Sequence, residues 1–258
     1  MPILTPSICI FYPAVLLLRI LIVFMKTPSY LEDLSRLFYP HQCIGCGYEL
    51  YQRDQKLCSR CLKELPRTHY EKAIENHVFR LFTGRLRLER GASWLFFSKG
   101  GLTQKLIHQL KYRGNIALGV YIGQTMGTQL QKSSHWFDSI DVMVPLPLNK
   151  RKMAIRGFNQ SEILCRGLHL ATGLPVEEVA VMRTVHTQTQ TKKSRIQRWS
   201  NVEHVFDLLD TGHLENKHAL LVDDVITTGA TLDACGQVLL KIPGLKLSVL
   251  SLAMASRF

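Results

Sequence analysis

The stretch Ala219-Leu220-Leu221-Val222-Asp223-Asp224-Val225-Ile226-Thr227-Thr228-Gly229-Ala230-Thr231 decides the fold. Residues 219–222 are too short and too uniformly apolar for an amphipathic surface helix, so they read as a buried parallel strand. In an open α/β sheet, ligands gather beyond the carboxyl ends of the strands, and this end carries Asp223 and Asp224. Residues 227–231 follow as a small, hydroxyl-rich turn whose amides can face a phosphate, with Gly229 permitting close backbone approach. From Thr231 the apolar positions Leu232, Cys235, Val238 and Leu239 recur at helical spacing, so the same phosphate would face a helix N-terminus. A nucleotide P-loop requires a glycine-rich run ending in Gly-Lys-Ser/Thr, and the chain has none. Taken alone, the acid pair could equally be a solvated or capping pair.

With 258 residues and 46% hydrophobic composition, the chain can bury one substantial core and carry a small accessory module. Its 32 Lys and Arg against 20 acids give a net charge of +12, which favours polyphosphates, nucleic acid or an anionic surface over a basic partner. The cations are clumped at Lys150-Arg151-Lys152 with Arg156, at Lys192-Lys193 with Arg195 and Arg198, and at Arg85, Arg87 and Arg90. Residues 8–24 are mostly apolar but broken by Pro13 and Arg19, and are at the short limit for a membrane span. Three readings compete: a marginal anchor, an unusual signal segment, or translation that starts at Met25. The last is the expectation, with residues 1–25 a doubtful leader and no stable membrane span.

Four of the seven cysteines form two knuckles, Cys43-Ile44-Gly45-Cys46 and Cys58-Ser59-Arg60-Cys61. Each Cys-x-x-Cys lets two thiolates converge on one ion, and two such pairs predict a tetrahedral zinc site. A full Cys₄ shell leaves no open position, so the zinc is expected to be structural. His41 and His69 lie near in sequence but are expected at the surface. A segment of about residues 37–66 is too small to hold a core without the metal. Cys165 and Cys235 fall in apolar helical patterns and read as small core residues; Cys9 lies in the leader.

Downstream, strands are expected over 91–98, 140–144 and 247–252, and helices over 102–113, from 117 to about 130, and up to Thr172 before Gly173. Asn159 and Glu162 have capping-box spacing at the start of that last helix. The turn Pro145-Leu146-Pro147 stiffens the exit of the second strand, and Arg151 and Arg156 beside it offer the bidentate donors that suit a pyrophosphate. Alternating strands and helices predict an α/β fold with a mostly parallel, doubly wound sheet. The expected organisation is a zinc-binding module and connector over 26–90, followed by a main domain over 91–258.

The apolar strand, acid pair and Thr-Thr-Gly-x-Thr loop together resemble the phosphoribosyl pyrophosphate (PRPP) signature of the type I phosphoribosyltransferases. A longer ordered series resembles the ComF/GntX family from about residue 31 to the end. It comprises the two cysteine knuckles, Leu110-Lys111-Tyr112-Arg113-Gly114, Val144-Pro145-Leu146-Pro147, Arg156-Gly157-Phe158-Asn159-Gln160, Arg198-x-x-Asn201-Val202 with Phe206, and Val222-Asp223-Asp224-Val225-Ile226-Thr227-Thr228-Gly229. Members are described as competence proteins, associated with DNA uptake and its handling on the cytoplasmic side, and as homologues linked to sugar-acid utilisation.

The resemblance implies that Thr227, Thr228, Gly229, Ala230 and Thr231 bind the 5-phosphate of PRPP and that the catalytic pair Asp223 and Asp224 engages the ribose hydroxyls. Pro145, Leu146 and Pro147, with Arg151 and Arg156, would hold the pyrophosphate, and Mg²⁺ would bridge it to the sugar. Transfer would expel pyrophosphate from the anomeric carbon through an oxocarbenium-like state while a nitrogen nucleophile arrives opposite. Adjacent strand residues face opposite ways, so only one of the two acids is expected to reach the sugar unless the chain has begun to turn. Residues 183–206 read as a lid over the donor or as an ordinary exposed loop.

Single-stranded DNA and competence DNA-translocation proteins are further partners implied by the family, and the expected location is cytoplasmic. The rival readings are a non-catalytic DNA-binding accessory protein and a PRPP sensor, because fold does not fix function. No segment marks the acceptor.

Overall fold

The computed structural model describes residues 41–52, 54–184, 205–209 and 211–255. The leader, Cys9, the Lys192-Lys193 clump with Arg195 and Arg198, the Arg198-x-x-Asn201-Val202 motif and most of the 183–206 segment lie outside the described residues. Four parallel strands form the main sheet: β1 (Arg90–Phe97), β2 (Val142–Pro145), β5 (His218–Ile226) and β6 (Lys246–Ala255). Their order is β1-β6-β5-β2, with Val142 opposite Ala219 and Asp223 opposite Ser251. A separate antiparallel pair joins β3 (Val181–Arg183) to β4 (Phe206–Leu208).

Side chains on β5 alternate between two apolar layers, as a twofold strand period requires. Leu220 and Val222 face helices α3 (Leu102–Tyr112), α4 (Ile116–Ser133) and α6 (Gln160–Thr172). Ala219 and Leu221 face α2 (His77–Phe82) and α7 (Ala230–Leu239). Helices therefore cover both faces of a parallel sheet, the doubly wound α/β arrangement that the sequence predicts. Helices α4 and α6 meet almost backbone to backbone: a Cβ on Gly123 would lie 2.3 Å from the Leu164 carbonyl oxygen, and one on Gly167 2.2 Å from that of Val120. That contact fixes where the N-terminus of α6 stands over the sheet.

The cysteine knuckles flank α1 (Ser59–Lys63). Cys43, Leu50, Leu57, Cys61 and Leu65 are buried in the same apolar layer as Leu106, Leu110 and Trp94. The connector is built into the domain as well. Its backbone pairs along β1 through Phe96 N–H to Pro66 and Thr68 N–H to Trp94, and α2 buries Val78 and Phe82 in the second layer. Among the described residues, no helix is long and apolar enough to cross a membrane.

Two local readings need correction. The strand expected over 219–222 runs on to Ile226, because β6 offers paired partners as far as Met254. The acid pair thus lies within the strand, not beyond it. The stretch after Pro147, to which the sequence reading assigns no regular element, contains a helix, α5 (Lys150–Arg156), opened by the Asn149 side chain accepting from Arg151 N–H at 2.9 Å and closed by Gly157 at φ +77°. Its residues are all at least partly exposed, so no apolar stripe reveals it.

A candidate phosphate-binding crevice and a four-cysteine cluster

The carboxyl ends of β2 and β5 and the N-termini of α6 and α7 enclose a crevice of about 190 Å³. Its rim is set by the turn after β2: Leu146 N–H continues the ladder to Val222 O at 2.9 Å, which turns Leu146 and Pro147 into the crevice wall. Asn159 locks this turn to α6. Its amide nitrogen donates to Leu146 O at 3.0 Å and to Glu162 at 3.1 Å, while its oxygen accepts from Ser161 N–H at 3.1 Å. The capping-box pair is real, but it runs side chain to side chain, and Asn159 spends its second N–H on the turn.

Both acids line the crevice. The Asp223 side chain accepts from Asp224 N–H at 2.8 Å and from Ser161 Oγ at 3.4 Å. Burial, then the adjacent Asp224 charge, raises the Asp223 carboxyl to about 7, against the lowering effect of that N–H, Lys111 and Ser161. Part of Asp223 nonetheless stays open to the crevice. Asp224 is paired with Lys111, Nζ to Oδ2 at 2.8 Å, and both side chains are largely enclosed. One carboxylate is thus paired with a cation, and the other is partly protonated at neutral pH.

Of the two arginines expected at the pyrophosphate, Arg156 lines the crevice and Arg151 does not. On α5, Lys152 and Arg156 stand one turn apart and share a face, whereas Arg151 is rotated away into solvent. Lys152 takes its place in the lining. Arg156 is held by Gln160 Oε1 at 2.6 Å and by the Tyr112 ring, 5.7 Å from its guanidinium. Arg183, at the base of the β3–β4 pair, completes the set. The described lining therefore carries four cations, Lys111, Lys152, Arg156 and Arg183, against Asp223 and Asp224. This balance suits a polyanion that also presents hydroxyls.

From the expected phosphate loop only Thr231 lines the crevice. Thr227 faces a neighbouring cavity with Phe97, Ile107 and Tyr112; Thr228 and Ala230 are exposed, and Ala230 N–H donates to Thr228 Oγ1 at 3.4 Å. Gly229 caps α7 at φ +74° and is buried against α2, where a Cβ would lie 2.9 Å from the Phe82 ring. Pro145 is buried as the last residue of β2. Lys111, Ser161 and Arg183 had no assigned role in the sequence; Lys111 sits inside the Leu110–Gly114 motif, which was the signal available.

The four expected zinc ligands converge. The Sγ atoms of Cys43, Cys46, Cys58 and Cys61 all lie within 4.8 Å of one another, with Cys46 and Cys58 at 3.7 Å. Amides turn toward the sulfurs: Cys58 N–H to Cys43 Sγ at 3.3 Å and Cys61 N–H to Cys58 Sγ at 3.4 Å. Burial pushes the Cys43 thiol up, but N–H groups of Cys46, Cys58 and Gly45 outweigh it and bring it down to about 6. Gly45 has no room for a side chain, since a Cβ would meet Cys61 Sγ at 2.7 Å. Four sulfurs with amide donors and, among the described residues, no further side-chain ligand fit a closed, structural zinc site. Cys165 and Cys235 are buried core thiols, as expected.

The chain is 27% identical over 227 residues to competence protein F of Haemophilus influenzae, covering 84% of this chain and 99% of that protein. The chain is a homologue of the ComF-type competence proteins. Competence protein ComFC of Bacillus subtilis is 25% identical across 77% of this chain and 78% of its own length. DNA utilization protein YhgH of Escherichia coli K12 is 35% identical over 147 residues, which span 53% of this chain and only 60% of YhgH. No family model matches the chain. Among solved structures, the allosteric regulatory enzyme of purine biosynthesis overlaps 51% of this chain and 26% of its own at 20% identity and a TM-score of 0.35. Adenine phosphoribosyltransferase from Saccharomyces cerevisiae overlaps 55% and 72% at 18% identity and a TM-score of 0.33. These overlaps are partial, and the fold rests on the chain's own strand order.

Proposed function

We propose that the crevice binds PRPP as its Mg²⁺ complex, in a ComF-type role in DNA uptake and processing on the cytoplasmic side of the membrane. The observation that carries this reading is the meeting of Asp223, Asp224, the Leu146-Pro147 turn, Lys152, Arg156 and Thr231 in one crevice at the ends of β2 and β5. The acids would engage the ribose hydroxyls, Asp224 as an acceptor and Asp223 as an acceptor whose proton affinity lies near neutral pH. Lys152 and Arg156 would meet the pyrophosphate beside the turn amides. Thr231, at the first turn of α7, would contribute to 5-phosphate binding together with residues 227–230. Mg²⁺ would supply charge neutralisation of the pyrophosphate and keep its own waters. Residues 26–90 would serve as zinc module and connector to a phosphoribosyltransferase-like domain over 91–258.

A second reading, a DNA-binding accessory protein that keeps the pocket without transfer, is favoured by the +12 net charge and by the names of the relatives. Calorimetric titration with PRPP and Mg²⁺, followed by an assay of pyrophosphate release with candidate bases, separates the two. Binding lost in Asp224→Asn supports the donor site, and release supports transfer. No binding at millimolar donor refutes the donor site. An affinity for single-stranded DNA that falls steeply with salt supports the accessory role.

A further inference from the structure

Two adjacent carboxylates at the floor of a crevice ordinarily invite a divalent cation, yet here one of them is already taken. Lys111 reaches Asp224 at 2.8 Å from the last turn of α3, and its side chain is only 19% exposed. Such a pair is not the solvent-screened surface contact that contributes little. Lys111 also stands where three cavities meet: it lines the crevice, the pocket beside Tyr112 and Ile155, and the cavity beside Phe97 and Thr227. The helix that carries it is anchored along its length. Leu106, Ile107 and Leu110 are buried, and Lys105 Nζ donates to Gly45 O at 3.1 Å beside the cysteine cluster.

We propose that Lys111 is a positioning residue that occupies Asp224 in the ligand-free protein, so that the acid pair refuses a bare divalent cation and accepts one only with a polyanionic donor. A lone cation at Asp224 must break the ion pair and push an ammonium toward Lys152, Arg156 and Arg183, which raises the electrostatic energy of the crevice. A polyphosphate reverses that balance, because it meets all four cations and gives the displaced Lys111 a new partner. Cation and donor binding are then coupled through one side chain, and the coupling acts in both directions. The donor half of this inference rests on the function proposed above; the refusal of a bare cation concerns the protein alone.

The test is Mn²⁺ titrated, without donor, into the zinc-loaded full-length protein at pH 8, read by loss of the free-ion electron paramagnetic resonance signal. Lys111→Met is expected to bind Mn²⁺ about tenfold or more tightly than wild type, the size of effect one adjacent charge has on a carboxylate. Lys111→Arg, which restores the cation, is expected to return to the wild-type value, and Lys111→Met with Asp224→Asn is expected to lose the gain. If Lys111→Met does not fold, Lys111→Gln carries the same expectation. Equal Mn²⁺ affinity in wild type and the neutral variants overturns the proposal, and so does a gain that survives Asp224→Asn. Failure of wild type to bind PRPP would sink the donor reading while leaving the Mn²⁺ result to stand or fall separately.

Discussion

Gly229→Ala should cost this protein far more than the same change at another left-handed glycine, and the excess can be worked from its surroundings. Gly229 and Gly173 have nearly the same backbone, φ +74° and +75°. An alanine at either site meets the left-handed strain of about 1–2 kcal/mol. At Gly173 a Cβ finds nothing within 4 Å, whereas at Gly229 it meets Phe82 Cε1 and Cζ at 2.9 Å and Leu81 Cδ2 at 3.1 Å. Phe82 is fully buried and cannot swing into solvent, so overpacking adds about 1–3 kcal/mol. Urea unfolding of Gly173→Ala, Gly229→Ala, Phe82→Leu and the Gly229→Ala/Phe82→Leu pair measures both parts. The double variant should recover some of the loss, giving a coupling energy that two independent sites would lack. Titration with PRPP and Mg²⁺ should show weakened binding for Gly229→Ala alone. If Gly229→Ala is no less stable than Gly173→Ala, or if trimming Phe82 relieves nothing, the account of this loop as braced by α2 is wrong.

Asp223 makes stability fall with pH. Its folded pKa of about 7 exceeds the ordinary carboxyl value of about 4, so between these the folded chain holds more protons than the unfolded one and loses stability as pH rises. Urea midpoints at pH 5 and pH 8 should drop more for wild type than for Asp223→Asn; equal drops would contradict the raised pKa. Arg156→Lys keeps a charge but loses the guanidinium contact with the Tyr112 ring and the bond to Gln160. PRPP affinity should fall about tenfold by calorimetry, and an unchanged affinity would remove Arg156 from the site. Cys46→Ser, at an exposed position of the cluster, should abolish stoichiometric zinc by elemental analysis. It should also lower the thermal midpoint by about 5 °C or more, at the 2–4 °C per kcal/mol typical of this chain length; retained zinc would refute the four-sulfur assignment.

The parts of this fold that were legible in the sequence are those where burial imposes a period. Residues 219–222 announced a central strand because both sheet faces are covered, and Leu106, Ile107 and Leu110 announced α3 because one stripe of it is buried. Helix α5 buries nothing, so its only signals were the Asn149 cap and the Gly157 stop. The cysteine cluster was legible for a different reason: thiolate chemistry permits few uses for two Cys-x-x-Cys pairs, and the spacing alone determines how they meet. The crevice was half legible. Acid pair, turn and loop carry recognisable residue types, but Lys111 is an ordinary lysine until α3 brings it across to Asp224. Choosing Lys152 over Arg151 required knowing that residues 150–156 are helical and which face they present.

The same helix explains why the cysteine cluster and the crevice belong to one structure. At its first turn, Leu102 abuts Gly45 closely enough that a Cβ there would lie 2.9 Å from Leu102 Cδ1, and Lys105 donates to the Gly45 carbonyl. At its last turn Lys111 holds Asp224. Eleven helical residues span roughly 16 Å at 1.5 Å each. Helix α3 therefore links the cysteine cluster at one end to a carboxylate of the crevice at the other.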